Sequence, residues 1–372
     1  MNKKRIAIII YGGVGVGIGL EGVVCLVKLC EQLSNEFDLT VFSLVKVDSS
    51  YQPIGYQLIG TPYNDQKGIV WRFLYVGKRL IQLHFKKKYS LIHAFWAYPA
   101  GLLALFLGKI LRLKTIITFM GGEVANIPSI GYGLYQSKFK KLIVQLIAKK
   151  VDVVVSLTQH HAQKLNENIS FKRMEVISFG VNLSKFPALD KQLVPPYRFL
   201  YLGNINKVKD LPVLIKTFQL INENVEASLD IVGLDTLNGE IQRIVNQLNL
   251  TNKIHVHGYY PNNQLSFFLS KSHILLHTSR WESQAVVVNE ALAAGVVVCG
   301  TKVGLIDDLA NKITIAAPVG DADLLSKQIL DLLENRQKYE ELKANGIAWS
   351  AKHGLQIQSQ KYNNLYNSLL NS

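Results

Sequence analysis

Three side chains in the second half of the chain have the chemistry to grip a phosphorylated guest. Lys209 stands in YLGNINKVKDLPVLIKTF, in a turn that follows a strand pattern directly and precedes a helix pattern. A helix N-terminus favours anions, and an ammonium placed there meets phosphates resting on the helix end. Glu282 and Glu290 stand in SRWESQAVVVNEALAAG, the first in a loop and the second inside the helix that follows. An interval of eight is no signal by itself, because Glu167 and Glu175 share it. Context carries the pair: the loop follows the strand pattern HILLHT, and the helix runs through Gly295 into the buried strand pattern VVVCG.

Other motifs have plainer explanations. The glycine-rich turn from Tyr11 to Gly22 follows the first strand pattern and opens a helix, which makes it a backbone N–H cradle. Gly17, Gly19 and Gly22 satisfy GxGxxG, yet a dinucleotide fingerprint begins directly after its strand, and Gly17 lies several residues past Tyr11. A loop lining a cleft is the expectation, with Gly13, Gly15 and Gly17 on it. Asp321 and Asp323 form the one DxD, a pair that holds a divalent metal in many sugar-transferring enzymes. Here they precede LLSKQILDLL, where Asp321 suits an N-cap and Asp323 suits the helix dipole. No metal and no cofactor are expected. Cys25, Cys30 and Cys299 are odd in number and lack metal-ligand spacing, so neither a disulfide framework nor a structural zinc is expected, and a reducing cytoplasm fits.

Elements must hold these residues in place. Short β-branched runs alternate with helical patterns: strands near Arg5–Tyr11, Asp38–Val45, Ser90–Phe95, Lys114–Phe119, Val151–Ser156 and Met174–Ser178, then again from Arg198 to Leu202 onward. Val23, Leu26, Val27 and Cys30 recur at the spacing of one helix face. The second series has strands near Ser228–Val232, Lys253–His257, His273–His277 and Val296–Cys299. Its helical patterns are Leu211–Ile221, Leu237–Leu248, Asn262–Lys271, Ala285–Ala294 and Asp323–Glu334. Such alternation means a parallel sheet covered on both faces, and two series mean two doubly wound domains, joined across the proline-bearing stretch Phe186–Tyr197. The expected division is 1–188 and 189–355, with a final helix over about 356–372 packing back on the first domain. Ligands of such sheets bind at the carboxyl ends of the strands, so a cleft between the domains is the expected site.

At 372 residues, 48% hydrophobic and 18% charged, the chain has the composition of a folded protein and not of a disordered one. Its net charge of +14 is uneven: residues 1–190 carry 24 basic and 11 acidic side chains, residues 191–372 carry 17 and 16. The first half is expected to meet something anionic. In SKFKKLIVQLIAKK, Phe139, Leu142, Ile143, Leu146 and Ile147 share a helical face among Lys138, Lys140, Lys141, Lys149 and Lys150; WRFLYVGKRLIQLHFKKK is a second cationic stretch. Two readings stay open: a core-facing helix with solvated lysines, or docking on anionic lipid at the inner face of the cell membrane. No nucleic-acid-binding module is present, so nucleic acid is not an expected partner. The glycines that interrupt the first apolar run argue against a signal peptide, and His93 and Pro99 argue against a spanning helix over 91–108.

Taken in order, the glycine-rich loop, IHAFWAYPAG, TFMGGEV, VISFGVNLSKF, GNINKVKD, IVGLD, IHVHGYYPNNQL, the ESQAVVVNE spacing, GTKVG and GDAD make the chain resemble the retaining glycosyltransferases with the GT-B fold, often called family 4. The resemblance implies two Rossmann-like domains and transfer of a sugar, of the hexosyltransferase type and without a metal, from a nucleoside diphosphate donor to a glycan or lipid-linked acceptor in polysaccharide biosynthesis. It implies that Glu282 lies beside the donor sugar, with the backbone of Ser283, Gln284 and Ala285 near its hydroxyls and phosphate. Glu290 would accept hydrogen bonds from the ribose, and Lys209 would neutralise the leaving diphosphate. Gly203, Asn204 and Gly233 would line the donor site, Gly258 and Tyr259 the nucleobase loop, and Gly121, Gly122 and Glu123 the cleft.

The chain also departs from the pattern. Asn204 stands where the family usually has Arg, with Arg280 or Lys207 as candidates to replace the lost cation. Met120 stands where the family has His, and Ser283 and Gln284 where it has a glycine and an aromatic residue. These departures keep two other readings in view: a non-catalytic GT-B protein that binds a nucleotide sugar, and a GT-B nucleotide-sugar epimerase.

Overall fold

The computed structural model describes residues 3–20, 22–63 and 68–371. Position 21 of the glycine-rich run and position 372 of the expected final helix lie outside the described residues. The chain divides into two compact units, one running to Phe179 and resuming at Leu355, the other Gly180–Gly354.

In the first unit β1 (Arg5–Ile10) leads through α1 (Val24–Leu33) to β2 (Asp38–Ser43) and β3 (Gln57–Gly60). Then α2 (Ile69–Lys86), β4 (Leu91–Phe95), α3 (Leu102–Leu111), β5 (Lys114–Thr118), α4 (Lys138–Lys150), β6 (Val153–Ser156), α5 (Gln159–Asn168) and β7 (Met174–Val176) follow. All pairings are parallel, in the order β3-β2-β1-β4-β5-β6-β7. Continuous burial of IAIII in β1 and LIHAF in β4 explains why those strands read as apolar runs without alternation: helices cover both faces. β3 escaped sequence reading because it is a four-residue edge strand, part-exposed and bounded by turn residues.

In the second unit β8 (Tyr197–Leu202), α6 (Leu211–Asn222), β9 (Ala227–Val232), α7 (Glu240–Gln247), β10 (Ile254–Gly258) and α8 (Leu265–Lys271) precede β11 (Ile274–His277). After it come α9 (Val286–Ala293), β12 (Val297–Thr301), α10 (Gly304–Asp308), β13 (Thr314–Ala317), α11 (Ala322–Glu334) and α12 (Arg336–Ala351). The order β10-β9-β8-β11-β12-β13 reverses direction between β8 and β11, the switch point at which open parallel sheets bind ligands. The unit starts at Gly180, nine residues before the expected 189, because Val181 and Phe186 are buried in its core and the Val181 N–H donates to the His353 carbonyl. Asp321 caps α11, its carboxylate accepting the Leu324 N–H at 2.9 Å.

The last helix, α13 (Leu355–Leu370), belongs to the first unit and packs on α1. Tyr362 and Tyr366 are buried there. The Tyr366 hydroxyl lies 2.7 Å from His93 Nδ1 in β4, and Tyr362 lies 3.1 Å from the Thr118 hydroxyl in β5. On α4 the core-facing reading of the apolar face fails. Val144, Ile147 and Ala148 are buried, whereas Phe139, Leu142 and Leu146 stand 70%, 65% and 50% exposed. The helix turns only its Val144–Ile147 edge to the sheet, so three of the five residues with the expected spacing face solvent.

Candidate active site

The switch point fixes the site. β8 and β11 are neighbours, and each ends in a loop that leads to a helix, the first carrying Lys209 and the second Glu282. The two loops are bound together before any ligand enters. Arg280 grips Asp210 with two bonds, Nε to Oδ2 at 2.7 Å and Nη2 to Oδ1 at 3.1 Å, and its own N–H donates to the Val208 carbonyl at 2.8 Å. The Thr278 hydroxyl reaches the carbonyls of Lys209 and Asp210, each at 3.2 Å. Asp210 is buried, so its bidentate guanidinium partner offsets the desolvation of the carboxylate. Arg280 therefore serves as a brace between loops, and the expectation that it replaces the cation lost at Asn204 is not met by its geometry.

The β8 loop is shaped by short-range bonds. The Tyr201 hydroxyl donates to the Asn204 carbonyl at 2.9 Å, and Asn206 accepts the Val208 N–H at 3.2 Å, opening the turn that carries Lys209. Gly233, at the end of β9, passes so close to this loop that a Cβ would stand 1.8 Å from the Gly203 carbonyl oxygen. Only glycine fits there. The Gly233 N–H donates to the carbonyl of Gly258, which ends β10 and precedes the part-buried Tyr259.

Glu282 is the hub of the site. Its Oε1 accepts from the Lys209 ammonium in a short ion pair, from the Ser279 hydroxyl at 2.7 Å and from His277 Nε2 at 3.1 Å. Burial by itself would raise the carboxyl, but the Lys209 charge and the donors from His277 and Lys209 hold it well below the usual carboxylate range. Burial likewise pushes the His277 imidazole down, so the ring is neutral and gives its one proton to Glu282. Its ring stacks on Tyr201, with centroids 6.2 Å apart and planes 12° apart, and its buried Nδ1 has no hydrogen-bond partner among the described residues.

The Glu282 loop ends at Ala285, whose φ of 65° is an unusual conformation for a side-chain-bearing residue and starts α9 without a side-chain cap. Ser283 and Gln284 are buried, and the Gln284 carbonyl accepts the Leu305 N–H at 3.1 Å. Glu290 lies one turn into α9, partly buried. Burial pushes its carboxyl up to about 7, against the pull of the Lys185 charge and a bond from Asn262. Lys185 also bonds the Asn262 side-chain oxygen directly. Lys185, Asn262, His277 and Ser279 were not anticipated as site residues. All four lie inside VNLSKF, YYPNNQL or HILLHTSR, but only the fold aims them at the two glutamates.

In the first unit the expected cleft residues gather at the carboxyl ends of β1 and β5. The Gly13 carbonyl accepts the Val23 N–H at 2.8 Å, closing the loop onto the start of α1, and Gly15 accepts the Asp48 N–H at 3.0 Å; a Cβ added at Gly17 would meet nothing within 4 Å among the described residues. Glu123 is buried and gathers the N–H groups of Met120 (2.9 Å), Gly121 (2.6 Å) and Ala97 (3.4 Å), tying the loop after β5 to the one after β4. Burial raises its carboxyl while those N–H groups pull it back. A Cβ on the adjoining Gly122 would stand 2.8 Å from the Tyr132 ring.

Comparison with known proteins agrees with this architecture. The family model described as Glycosyl transferases group 1 matches residues 189–349, and that of Glycosyltransferase Family 4 matches residues 22–185. An uncharacterized glycosyltransferase of Methanocaldococcus jannaschii is 24% identical over 283 residues, 74% of each chain. The N-acetyl-alpha-D-glucosaminyl L-malate synthase of Bacillus anthracis is 22% identical over 284 residues, 72% of each chain. Among solved structures, sucrose-phosphate synthase from Thermosynechococcus elongatus superposes with a TM-score of 0.81 at 19% identity, covering 99% of each chain. Anabaena HepE in complex with UDP and glucose gives 0.77 at 15% identity, covering 98% of this chain and 100% of that one.

Proposed function

We propose, from the premise that this chain belongs to the GT-B glycosyltransferases of the family 4 type, that it moves a sugar from a nucleoside diphosphate to an acceptor hydroxyl with retained anomeric configuration. The observation that carries this reading is the Lys209–Glu282 pair at the switch point of the second sheet. As the glycosidic bond breaks, negative charge grows on the diphosphate and positive charge on the sugar. Lys209 meets the former, together with the uncapped N-terminus of α9. When the ammonium turns to the diphosphate, Glu282 keeps its donors Ser279 and His277 and remains an anion beside the sugar. Glu290 accepts from the ribose hydroxyls, and a phosphate oxygen takes the acceptor proton on the same face, so that no metal and no cofactor enters.

A nucleoside diphosphate donor is supported by HepE, which has been captured with UDP and glucose. A role in glycan biosynthesis is supported by a relative from Bacillus subtilis, 26% identical over 239 residues, that carries the name of a teichuronic acid biosynthesis glycosyltransferase. The acceptor in this reading is a glycan or a lipid-linked sugar at the cytoplasmic membrane surface. Lys138, Lys140, Lys141, Lys149 and Lys150 face the anionic lipid, each contributing about 1 kcal/mol near the surface.

The test is a panel of nucleotide sugars with and without acceptor extract, followed by NMR of the product's anomeric centre. One donor should release its nucleoside diphosphate only with acceptor present, and the product should keep the donor's configuration. Tight donor binding without any release would favour the non-catalytic reading. Acceptor-free conversion of the donor would favour the epimerase, and an inverted product would remove retention.

A further inference from the structure

The second unit has a small cationic hollow at the amino ends of β8 and β11, the opposite end of those strands from the loops that carry Lys209 and Glu282. Lys191, Pro195, Arg198, Ser270, Lys271 and His273 line about 270 Å³ of space, and no Asp or Glu is among its lining residues. That volume lies below the ~300–1,000 Å³ of sites for drug-sized molecules, so a guest must be small. The frame is preorganised around His273, which is buried immediately before β11. Its Nδ1 accepts the Arg198 N–H at 3.1 Å, its own N–H donates to the Arg198 carbonyl at 2.9 Å, and its carbonyl accepts the Tyr339 hydroxyl of α12 at 3.0 Å. Burial, followed by the charges of Lys191 and Arg198, pushes the ring down to about 4, so His273 is a neutral brace and not a fourth cation.

The cations of the hollow have no counter-charge. The part-buried Lys191 ammonium donates to two main-chain carbonyls, of Leu269 at 2.9 Å and of Ala294 at 3.5 Å, which leaves one of its three protons unclaimed. Burial, then the charge of Lys343, pushes it down to about 8, so it stays charged at neutral pH in spite of its desolvation. Lys271 lies over the Phe267 ring, 3.7 Å from its centroid, a weak stand-in for an anion. Among the described residues Lys191, Arg198 and Lys271 join no ion pair; Asp190, beside Lys191 in the chain, and Glu340 pair with Lys343 instead, at 3.6 and 3.2 Å. A charge drawn out of water is ordinarily paired, yet here three cations share one cavity to which the chain contributes no carboxylate. We propose that this hollow binds a small phosphate-bearing anion from solution, free phosphate or a phosphate monoester. Arg198 offers a planar fork for two phosphate oxygens, and Lys191 and Lys271 add point charges. The length of β8 and β11 separates this site from Lys209, so it does not rest on the transfer reading.

The experiment titrates the full chain with inorganic phosphate, read by calorimetry and by melting temperature, against chloride at equal ionic strength. Phosphate should bind and raise the melting temperature where chloride does not. Arg198→Gln and Lys191→Met should each weaken phosphate affinity at least tenfold and remove the thermal shift, whereas Lys209→Ala should keep both. Arg198 is exposed, so its variant carries the test if Lys191→Met misfolds. Without phosphate, Lys191→Met should melt no lower than the wild type, because it removes an uncompensated cation. An equal response to chloride, or wild-type phosphate affinity in Arg198→Gln, would overturn the proposal. Loss of the response in Lys209→Ala alone would place the phosphate at the donor site and overturn it as well. Phosphatidic acid vesicles distinguish the two sources of phosphate: flotation that depends on Arg198, with no response to the free anion, would assign the hollow to a head group and refute a soluble guest.

Discussion

Lys209 and Glu282 satisfy each other in the absence of substrate, and removing either partner has a calculable sign. In Lys209→Ala the glutamate retains Ser279 and His277, so folding should survive, while the developing diphosphate charge loses its cation. Turnover should fall by about 3 kcal/mol of transition-state stabilisation, the scale of losing one preorganised electrostatic donor. Steady-state kinetics with the identified donor checks this, and unchanged kcat/KM would remove Lys209 from the mechanism. Glu290 gives a pH signature. Its carboxyl is raised to about 7, so below that pH it is protonated in the free protein and cannot accept two ribose bonds as an anion. Nucleoside diphosphate affinity should therefore fall as pH drops through about 7, beyond the nucleotide's own titration. Calorimetry on Glu290→Gln supplies the control: an identical pH profile in both proteins would refute the ribose assignment.

At the scale of elements, caps and close approaches decide whether the site is built at all. Asp321 accepts the Leu324 N–H at the start of α11, so Asp321→Ala should cost about 1 kcal/mol in urea unfolding and leave turnover intact. Lost activity at unchanged stability would instead argue for a chemical role of the DxD pair. Gly233→Ala should cost about 3 kcal/mol, the upper end for overpacking, because its methyl would collide with the Gly203 carbonyl and displace the Lys209 loop. A near-neutral urea midpoint would show that the loop yields easily. The long buried strands were legible from their apolar runs, and α1 from its face spacing. β13 was not, because Thr314–Ala317 is four residues of mostly small side chains ahead of Pro318. α12 was not, because Gly346 interrupts a helix whose apolar residues form no clear stripe.

Across the whole molecule, buried neutral histidines set the response to acid. His93 and His161 are pushed down to about 3 and His273 to about 4, each chiefly by burial. In the unfolded chain they take up protons near pH 6.5, whereas the native protein refuses them until far lower pH. Stability from these groups is complete above about 6.5 and is lost as pH falls, by up to about 1.4 kcal/mol per unit for each. Glu290 acts in the opposite sense, its contribution being present at low pH and lost as pH rises through about 7. The raised Glu123 acts with Glu290, whereas the lowered His277 and Glu282 act with the three histidines and outweigh it, so the urea midpoint should decline between about pH 6.5 and 4. A midpoint that rises over that interval would contradict the burial of these rings. His93 adds a structural link: it bonds Tyr366 of α13 and Thr118 of β5, so its protonation, near pH 3 in the native protein, should loosen the last helix.

Sequence alone determined the alternation of strands and helices, hence two parallel sheets, and it determined which side chains bear the charge. It also placed Lys209 and Glu282 at strand ends, because a loop after a buried strand is legible from the apolar run before it. Only the tertiary structure decided which strand ends are neighbours. β8 and β11 lie more than seventy residues apart in the chain and meet through sheet pairing, and that pairing sets Lys209 on Glu282 and commits Arg280 to Asp210. It decided equally that Lys185 and Asn262 reach Glu290, and that Phe139, Leu142 and Leu146 face water. Helical spacing tells which residues share a face; which face is covered depends on what the rest of the chain brings against it.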